Sequence, residues 1–329
     1  MAAGPRPRLL VTGATGVLGS AFVGVASAYP GHDFIFVARG ELDLTDAAAV
    51  HAFFGREKIR QVIHLAAISG GIDLARRYPA RILRDNVSMC FAVLEAAVAH
   101  RLDKVVLTLS SGMYPADAPQ PNTEDQIHLG LPHETAYSYA MAKRLMEPAI
   151  RAYRAEHSLD VIGLVPSGIY GPDDNYNPDD CTWIAGLVRR FCEWTPAAGD
   201  LTIWGDGSPM REITYAPDMA RAYMWCLANH SSADLLNVGC GQAQTIRSVA
   251  MMLADICGVP AERIRFDPAR ARGIDRRVTD NSAFISLSGF SYTDLRTGLE
   301  ATVAWYRRTL RENPGAIRRW PRIKAERST

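Results

Sequence analysis

Hydrophobic residues along the first half of the chain occur either in short continuous runs or at a spacing of three to four residues. The short runs are rich in β-branched residues and predict buried strands, whereas the spaced runs predict helices. Strands that alternate with helices predict a parallel sheet with helices on both faces, so the fold class is α/β with a doubly wound, Rossmann-type sheet. The predicted strands are residues 8–13, 33–38, 61–67, 104–110 and 160–167, and the predicted helices are 17–29, 46–55, 81–100 and 136–157.

The alternation ends after Gly171, where the turn-rich run "GPDDNYNPDD" begins and later elements become shorter. We therefore place an NAD(P)-binding Rossmann domain at residues 1–171 and a smaller α/β substrate lobe at 172–215 and 233–329. The helical pattern within residues 216–232 is expected to return to the first domain.

Charge and cysteine usage limit the classes of partner. The chain has 36 Lys plus Arg against 35 Asp plus Glu, so we expect neither nucleic acid nor a membrane as the main partner. The six cysteines have no C-x-x-C spacing and lie mostly in apolar patterns, which is typical of reduced thiols, and no metal site is predicted. No segment resembles a signal peptide or reaches the roughly 18 apolar residues of a membrane span. We expect a cytoplasmic protein.

A glycine-rich turn, "VTGATGVLGS", joins the first predicted strand to the first helix. Gly13 allows a tight turn, Gly16 lets the backbone approach a diphosphate, and Gly19 lets the helix pack on the strand, with the phosphates at the helix N-terminus. Thr15 and Val17 belong to the same predicted cofactor site. A glycine-rich turn alone is a weak signal, but its position between strand and helix favours a dinucleotide.

The residue after the second strand bears on the choice of cofactor. Arg39 occupies the point where an NAD enzyme usually has an acidic residue, and a cation there suits the 2′-phosphate of NADP. A surface arginine is an equally good interpretation, because Ala14 and Thr15 supply no second positive charge. Further cofactor contacts are predicted at the adenine edge, at the end of the third strand and beyond it: Asp43, Leu44, Leu65, Ala66, Ala67, Asn86 and Pro166.

Three residues form a candidate catalytic trio. Tyr139 and Lys143 stand at i and i+4, so their side chains leave one face of one helix. An ammonium beside a phenol favours the phenolate, which makes the tyrosine usable as an acid or base, and lysine can also hold ribose hydroxyls. Ser110, at the end of the preceding strand, supplies a hydroxyl for the substrate oxygen.

The order of these motifs resembles that of the extended short-chain dehydrogenases/reductases. Within that family "SSGMYP", "YGPDDNYNP", "IWGDGSPMRE" and "LNVGCGQAQTIRSVA" resemble the GDP-L-fucose synthases, and the likeness covers nearly the whole chain. The resemblance implies NADP(H) in preference to NAD(H), a GDP-linked 4-keto-6-deoxy sugar and a homodimer. It assigns hydride transfer to the trio, and nucleotide and diphosphate contacts to Arg190, Trp204, Arg211 and Arg277, although ordinary packing explains Trp204 nearly as well. Two further substrate contacts are predicted at Ser111 and Asn175.

The sequence departs from that family where the family epimerises its substrate. Gly112 replaces a cysteine and Thr182 replaces a histidine, and neither replacement titrates near neutrality. Gly168 replaces an asparagine, so with Gly112 it is expected to widen the sugar pocket, for example for a heptose or octose. Cys181 would substitute for the lost acid only if the loop register shifted by one residue.

These observations predict a nucleotide-sugar oxidoreductase that acts at C4 only, as an NADPH-dependent 4-keto-sugar reductase without 3,5-epimerase activity. Two alternatives stay open. A C4-epimerase with tightly bound NAD needs the same trio, and a catalytically silent nucleotide-sugar-binding protein would keep the same fold.

Overall fold

The computed structural model of the chain describes residues 6–70, 72–269 and 274–318. Its first half alternates strands with helices, as the hydrophobic pattern predicts. The elements up to residue 165 are β1 (Arg8–Thr12), α1 (Val17–Val25), β2 (Asp33–Val37), α2 (Ala47–Glu57), β3 (Gln61–His64), α3 (Ile72–Arg77), α4 (Pro79–Ala99), β4 (Lys104–Thr108), α5 (Tyr137–Arg144), α6 (Met146–His157) and β5 (Val161–Val165).

The second half contains shorter strands. These elements are β6 (Ile169–Tyr170), α7 (Trp183–Glu193), β7 (Leu201–Trp204), β8 (Met210–Glu212), β9 (Thr214–Tyr215), α8 (Ala216–Asn229), β10 (Leu236–Asn237), β11 (Ala243–Thr245), α9 (Ile246–Cys257), β12 (Ile264–Asp267), β13 (Arg276–Arg277), α10 (Ser282–Ser288) and α11 (Leu295–Glu312).

The central sheet has the strand order β2-β1-β3-β4-β5-β10, and every neighbouring pair is parallel. The chain runs outward from β1 to β2 and then returns to the other side of β1 at β3. In sheets of this kind, ligands bind at the carboxyl ends of the strands where the order reverses. The predicted α/β, Rossmann-type fold is confirmed, and the β1/β3 junction is the expected position of a cofactor.

Side chains of β1 alternate between two apolar layers. Leu10 packs with helices α2, α4 and α6 on one face of the sheet, whereas Leu9 and Val11 pack with α1 and α8 on the other. On the second face the rings of Phe22 and Tyr223 meet edge to face, with centroids 6.2 Å apart. Helix α8 therefore lies on the sheet beside α1.

One strand of the sheet comes from a part of the sequence assigned to the second lobe. Leu236 and Asn237 form β10, where they pair with Leu164 and Val165 of β5. Phe284 of α10 packs into the same apolar layer as α8. A two-residue strand is too short to produce a recognisable alternation, so the sequence pattern alone did not indicate it.

The predicted helix 136–157 is divided into α5 and α6 at Leu145, whose backbone keeps helical dihedral angles. Pro148 has no N–H to donate to the carbonyl of Arg144, which interrupts the hydrogen-bond ladder at this point. The division places Tyr139 and Lys143 together on a helix of only eight residues.

The smaller lobe is built on β8, which lies between β11 and β13, and on a separate pair, β7 and β12. Helices α7, α9 and α11 form its core around Phe191, Leu253 and Val303. In the part of the chain that the structure describes, no helix combines the length and apolarity needed to cross a bilayer.

Candidate active site

The glycine turn brings the end of β1 very close to the segment after β3. Gly13 has φ +72°, and a Cβ built there would lie 2.9 Å from the backbone nitrogen and Cα of Ala66. A Cβ at Gly19 would lie 2.6 Å from the Cα of Ala14. Larger residues at these two positions would therefore push the loop away from β3 and α1 away from β1.

The same turn leaves the start of α1 open to a ligand. Gly16 is the N-cap residue and supplies no side-chain hydrogen bond to the first turn. Open peptide N–H groups at a helix N-terminus bind anions, and glycines let a diphosphate approach them closely. Thr15 is exposed and Gly16 and Val17 are half-buried at this point. The residues present therefore fit the diphosphate of a dinucleotide.

A buried hydrogen-bond network fixes the ends of β1 and β3. The Thr12 hydroxyl accepts hydrogen bonds from the N–H groups of Leu65 and Ala66, at 3.1 and 3.2 Å. It lies 2.9 Å from Nδ1 of His64 and therefore donates its own proton to that nitrogen. Burial, reinforced by the positive charge of Lys143, lowers the pKa of His64 to about 3. The sequence analysis did not single out Thr12 or His64. Both end strands that are neighbours in the sheet, and this position could have indicated that they lie close together.

Asn86 holds the segment after β3, and its predicted contact with the cofactor stays a prediction. Its Oδ1 accepts a hydrogen bond from the N–H of Ile68 at 2.9 Å, and its amide group donates to the carbonyls of Ile68 and Ile82 at 3.0 and 2.7 Å. Both amide protons are thus used inside the protein. Asn86 positions Leu65, Ala66 and the residues that follow.

The predicted adenine contacts differ in accessibility. Arg39 and Asp43 are exposed after β2, and the Asp43 carboxylate accepts hydrogen bonds from the backbone and hydroxyl of Thr45. These bonds, with the charge of Arg39, hold the pKa of Asp43 below its ordinary value. The side chain of Leu44 packs into the core beneath α2, so only its backbone is available to a ligand.

The predicted catalytic trio converges beyond the end of β4. Lys143 is buried, and its Nζ lies 5.9 Å from the centre of the Tyr139 ring and 2.7 Å from the carbonyl oxygen of Thr108. Tyr139 is half-buried on the same face of α5. The Ser110 hydroxyl accepts a 3.1 Å hydrogen bond from the N–H of Gly112, so its own proton can be donated to a ligand oxygen.

Two further contacts hold this arrangement together. The guanidinium of buried Arg144 donates to the carbonyls of Met113 and Gly130, which ties α5 to the loop after Ser110. The N–H of buried Ser111 donates to the carbonyl of Pro166 at 3.2 Å, which joins the segments after β4 and β5. Ser111 and Pro166, predicted to contact substrate and cofactor, are thus buried and joined by a backbone hydrogen bond.

Gly112 lies between the Ser110 hydroxyl and Arg277. A Cβ there would lie 3.3 Å from the Ser110 hydroxyl oxygen and 3.8 Å from a terminal nitrogen of Arg277. Arg277 lies opposite Arg211 in the pairing of β13 with β8. Burial and the neighbouring Arg277 lower the pKa of Arg211 to about 10, and burial also lowers the pKa of Arg277. Two adjacent, partly desolvated guanidinium groups suit a diphosphate.

Gly168 does not widen the pocket, contrary to the expectation from the sequence. Its φ is +47°, and a Cβ there would lie 2.8 Å from the carbonyl carbon of Glu212 and closer still to the oxygen. The Gly168 carbonyl also accepts a 2.9 Å hydrogen bond from the N–H of Thr214. The backbone of the smaller lobe therefore occupies the space that a side chain at residue 168 would take.

At the end of the loop before α7, the position of the missing acid is taken by Thr182, and Cys181 precedes it. The Thr182 hydroxyl accepts a 3.3 Å hydrogen bond from the N–H of Ala185 and caps α7. Cys181 packs against the helix, with its sulfur 3.3 Å from the position of a Cβ on Gly186. Burial raises the pKa of this thiol, so the thiolate is disfavoured.

Asn175, predicted to contact substrate, is fully buried within the loop that follows β6. Its side chain donates to the carboxylate of Asp180 and accepts from the N–H of Asn177 at 3.2 Å. Its position identifies it as a residue that shapes the loop.

Arg190 and Trp204 lie at one end of the smaller lobe. The Arg190 guanidinium donates to the carbonyl of Thr202 on β7, and Trp204 ends that strand with 62% of its surface exposed. Their contact with a nucleotide stays a prediction.

Within residues 6–70, 72–269 and 274–318, no group of three or more His, Cys, Asp or Glu side chains is placed to hold a metal ion.

Comparison with known proteins gives the family. The model of the NAD dependent epimerase/dehydratase family matches residues 9–239, more than half of the chain. The chain is 34% identical over 300 residues to GDP-L-fucose synthase 1 of Arabidopsis thaliana, covering 91% of this chain and 93% of that one. It is 32% identical over 311 residues to GDP-L-fucose synthase of Escherichia coli (strain K12), covering 92% and 97%.

Among solved structures, the fold matches a GDP-L-fucose synthetase of Naegleria fowleri bound to NADP. The TM-score is 0.87 at 26% identity, and the match covers 95% of this chain and 97% of that one. The glycine cradle, the trio and these matches agree, and the chain belongs to the NAD dependent epimerase/dehydratase family, as an NAD(P)-dependent enzyme.

Proposed function

We propose that the protein is an NADPH-dependent reductase of the C4 ketone in a nucleoside-diphosphate sugar, with GDP as the nucleotide, and that it does not epimerise C3 or C5. The observation that carries the proposal is local. Ser110, Tyr139 and Lys143 are assembled at the end of β4, whereas the two positions that would exchange protons with the sugar ring are Gly112 and a helix-capping Thr182.

Reduction needs a proton and a hydrogen-bond donor at the ketone oxygen. A bound nicotinamide would supply the hydride to C4. Tyr139 donates its phenolic proton to the C4 oxygen, and the Ser110 hydroxyl orients that oxygen. The ammonium of Lys143 stabilises the resulting phenolate until solvent reprotonates it.

Epimerisation at C3 or C5 needs a base on one face of the sugar and an acid on the other. Each properly placed acid or base contributes about 10² to 10⁴ in rate, so the lack of both makes this reaction negligible beside reduction. Cys181 does not replace them, because its thiol packs against α7 and burial raises its pKa.

Arg211 and Arg277 are the proposed contacts of the substrate diphosphate. They are cross-strand neighbours, and a terminal nitrogen of Arg277 would lie 3.8 Å from a Cβ on Gly112. A diphosphate bound by this pair would bring the sugar toward Gly112 and Ser110. The lack of a side chain at Gly112 is what supports a sugar that is larger or differently branched than 6-deoxymannose.

The choice of guanosine is supported by relatives that are named GDP-L-fucose synthases. The choice of NADP is supported by Arg39 after β2 and by the NADP-bound Naegleria fowleri structure. The homodimer that the family resemblance implies is part of the proposal, and sedimentation velocity tests it.

The decisive experiment follows reduction and proton exchange in one sample. Purified protein is incubated with GDP-4-keto-6-deoxymannose and NADPH in deuterated buffer, with the Escherichia coli GDP-L-fucose synthase as the positive control for exchange. We expect NADPH consumption equal to the C4 alcohol formed and no deuterium at C3 or C5. Deuterium at either carbon at the rate of turnover would contradict a reaction limited to C4.

Two further measurements on the same purified protein separate reduction from C4 epimerisation: its bound NAD content, and its action on a GDP-sugar alcohol. An epimerase would retain NAD through purification and would invert C4 of a sugar alcohol without net NADPH consumption. Stoichiometric NADPH oxidation supports the reductase, and retained NAD with inversion would overturn it.

A further inference from the structure

The last residue that the structure describes, Arg318, lies against the glycine turn at the start of α1. Its guanidinium donates a hydrogen bond to the carbonyl oxygen of Thr15, which is 303 residues earlier in the sequence. Thr15 precedes Gly16, the uncapped N-terminal residue of α1. A cation from the far end of the chain therefore stands beside the proposed phosphate cradle.

The segment that carries Arg318 is anchored on both sides of its backbone. The side chain of Ile317 is buried in the core of the smaller lobe. The carbonyl of Arg318 accepts a 2.8 Å hydrogen bond from the N–H of Tyr176. Tyr176 is fully buried, and its ring stacks on that of Trp305. These contacts fix the position of the backbone from which the Arg318 side chain extends.

A phosphate bound at the glycine turn would be negatively charged, so a positively charged side chain nearby would stabilise it. The turn itself contains no cation, since Ala14, Thr15 and Val17 separate its glycines. The carboxyl of Asp173 lies close enough to Arg318 for their charges to interact, although burial keeps the pKa of Asp173 above its ordinary value. The Thr15 carbonyl thus accepts from Arg318 at the turn, with the Asp173 carboxyl nearby. Phosphate oxygens would be stronger acceptors for the guanidinium N–H groups.

We propose that Arg318 binds a phosphate group of the dinucleotide and so supplies, from the smaller lobe, the cation that the glycine turn lacks. This inference rests on the proposed use of a nicotinamide dinucleotide. The phosphate is either the diphosphate, which NAD and NADP share, or the 2′-phosphate, which only NADP carries.

The test measures dissociation constants of NADP⁺ and NAD⁺ by titration calorimetry on the full chain, together with the melting temperature of the unliganded protein. Arg318→Gln is compared with the unsubstituted protein and with Arg307→Gln. Arg307 is a matched control, because it is also half-buried and donates to a backbone carbonyl, that of Cys257, away from the cofactor turn.

We expect Arg318→Gln to weaken NADP⁺ binding about tenfold or more, the usual size of a charge-assisted hydrogen bond, and Arg307→Gln to leave it within twofold. Equal weakening of NAD⁺ assigns Arg318 to the diphosphate, and weakening of NADP⁺ alone assigns it to the 2′-phosphate. Both results support the proposal. A lowered melting temperature with both dissociation constants unchanged would overturn it and make Arg318 a structural tie.

Asp173→Asn gives the reciprocal measurement if Arg318→Gln does not fold. Residue 173 has φ +59°, a conformation that asparagine tolerates well, and the substitution leaves Arg318 in place without its carboxylate neighbour. We expect tighter NADP⁺ binding, and unchanged or weaker binding would overturn the proposal. If the unsubstituted protein binds neither dinucleotide, both the proposed function and this inference are wrong.

Discussion

A hydrogen bond between Lys143 and Thr108 joins helix α5 to strand β4 of the central sheet. The ammonium of Lys143 donates a 2.7 Å hydrogen bond to the Thr108 carbonyl at the end of β4, while it remains 5.9 Å from the centre of the Tyr139 ring. Ser110 follows two residues after Thr108 on the same segment. The Lys143 side chain thus connects the part of α5 that carries Tyr139 to the segment that carries Ser110.

The first prediction concerns the proton donor. Tyr139→Phe removes the phenolic proton and keeps the ring, so we expect kcat to fall about 10²- to 10⁴-fold with little change in melting temperature. Tyr137→Phe is the control, because Tyr137 begins the same helix and is 42% exposed. NADPH oxidation at saturating substrate measures both. Equal activity of the two variants would remove Tyr139 from the mechanism.

A second prediction concerns the paired arginines. Arg211→Gln and Arg277→Gln each remove a charge-assisted contact with the diphosphate, so we expect KM for the GDP-sugar to rise roughly tenfold to a hundredfold, with a smaller change in kcat. Arg276→Gln is the control, since Arg276 neighbours Arg277 on β13 and is exposed. A rise in KM of the same size in Arg276→Gln would show that general surface charge, and not the pair, attracts the substrate.

The third prediction separates the two glycines that were expected to enlarge the pocket. Gly168→Ala should lower the free energy of unfolding by about 1–3 kcal/mol, because the residue has φ +47° and the new Cβ would overlap the backbone of Glu212. Gly199→Ala is the control, because Gly199 has φ +71° with no atom within 4 Å of its Cβ position. Urea unfolding measures both. If Gly168→Ala lost no more unfolding free energy than Gly199→Ala, the overlap with the Glu212 backbone would contribute nothing to the destabilisation.

Gly112→Ala provides the contrasting substitution, since its Cβ would be 3.3 Å from the Ser110 hydroxyl. We expect near-normal stability and a raised KM for the sugar substrate, measured by NADPH oxidation. An unchanged KM together with lost stability would show that the position is structural.

The fourth prediction concerns pH. The folded pKa of His64 is about 3, below the ordinary value of 6.5, so between these values the unfolded chain binds a proton that the folded chain does not. The stability that neutral His64 contributes is complete above pH 6.5. It is lost as the pH falls, by about 1.4 kcal/mol per pH unit.

Urea unfolding between pH 6 and 4 measures this slope. We expect His64→Asn to reduce the slope of unfolding free energy against pH by an amount equivalent to at most one bound proton. We expect His157→Asn, on the exposed end of α6, to leave the slope unchanged. An unaltered slope in His64→Asn would mean that other groups govern the acid sensitivity.

The sequence by itself determined the features that repeat over a few residues. Strand and helix periods gave the parallel sheet, and glycine spacing gave the cradle between β1 and α1. The i,i+4 spacing put Tyr139 and Lys143 on one face of α5. These features follow from local backbone geometry, which neighbouring residues are sufficient to specify.

Only the tertiary structure decided which of the remaining residues face the site. The backbone of Glu212 fills the space beside Gly168, Asn86 and Asn175 use their amides inside the protein, and Arg318 reaches Thr15 from the other end of the chain. Each contact joins a residue to a partner whose position depends on how strands and lobes pack. Such packing leaves no periodic signal in the sequence around either residue.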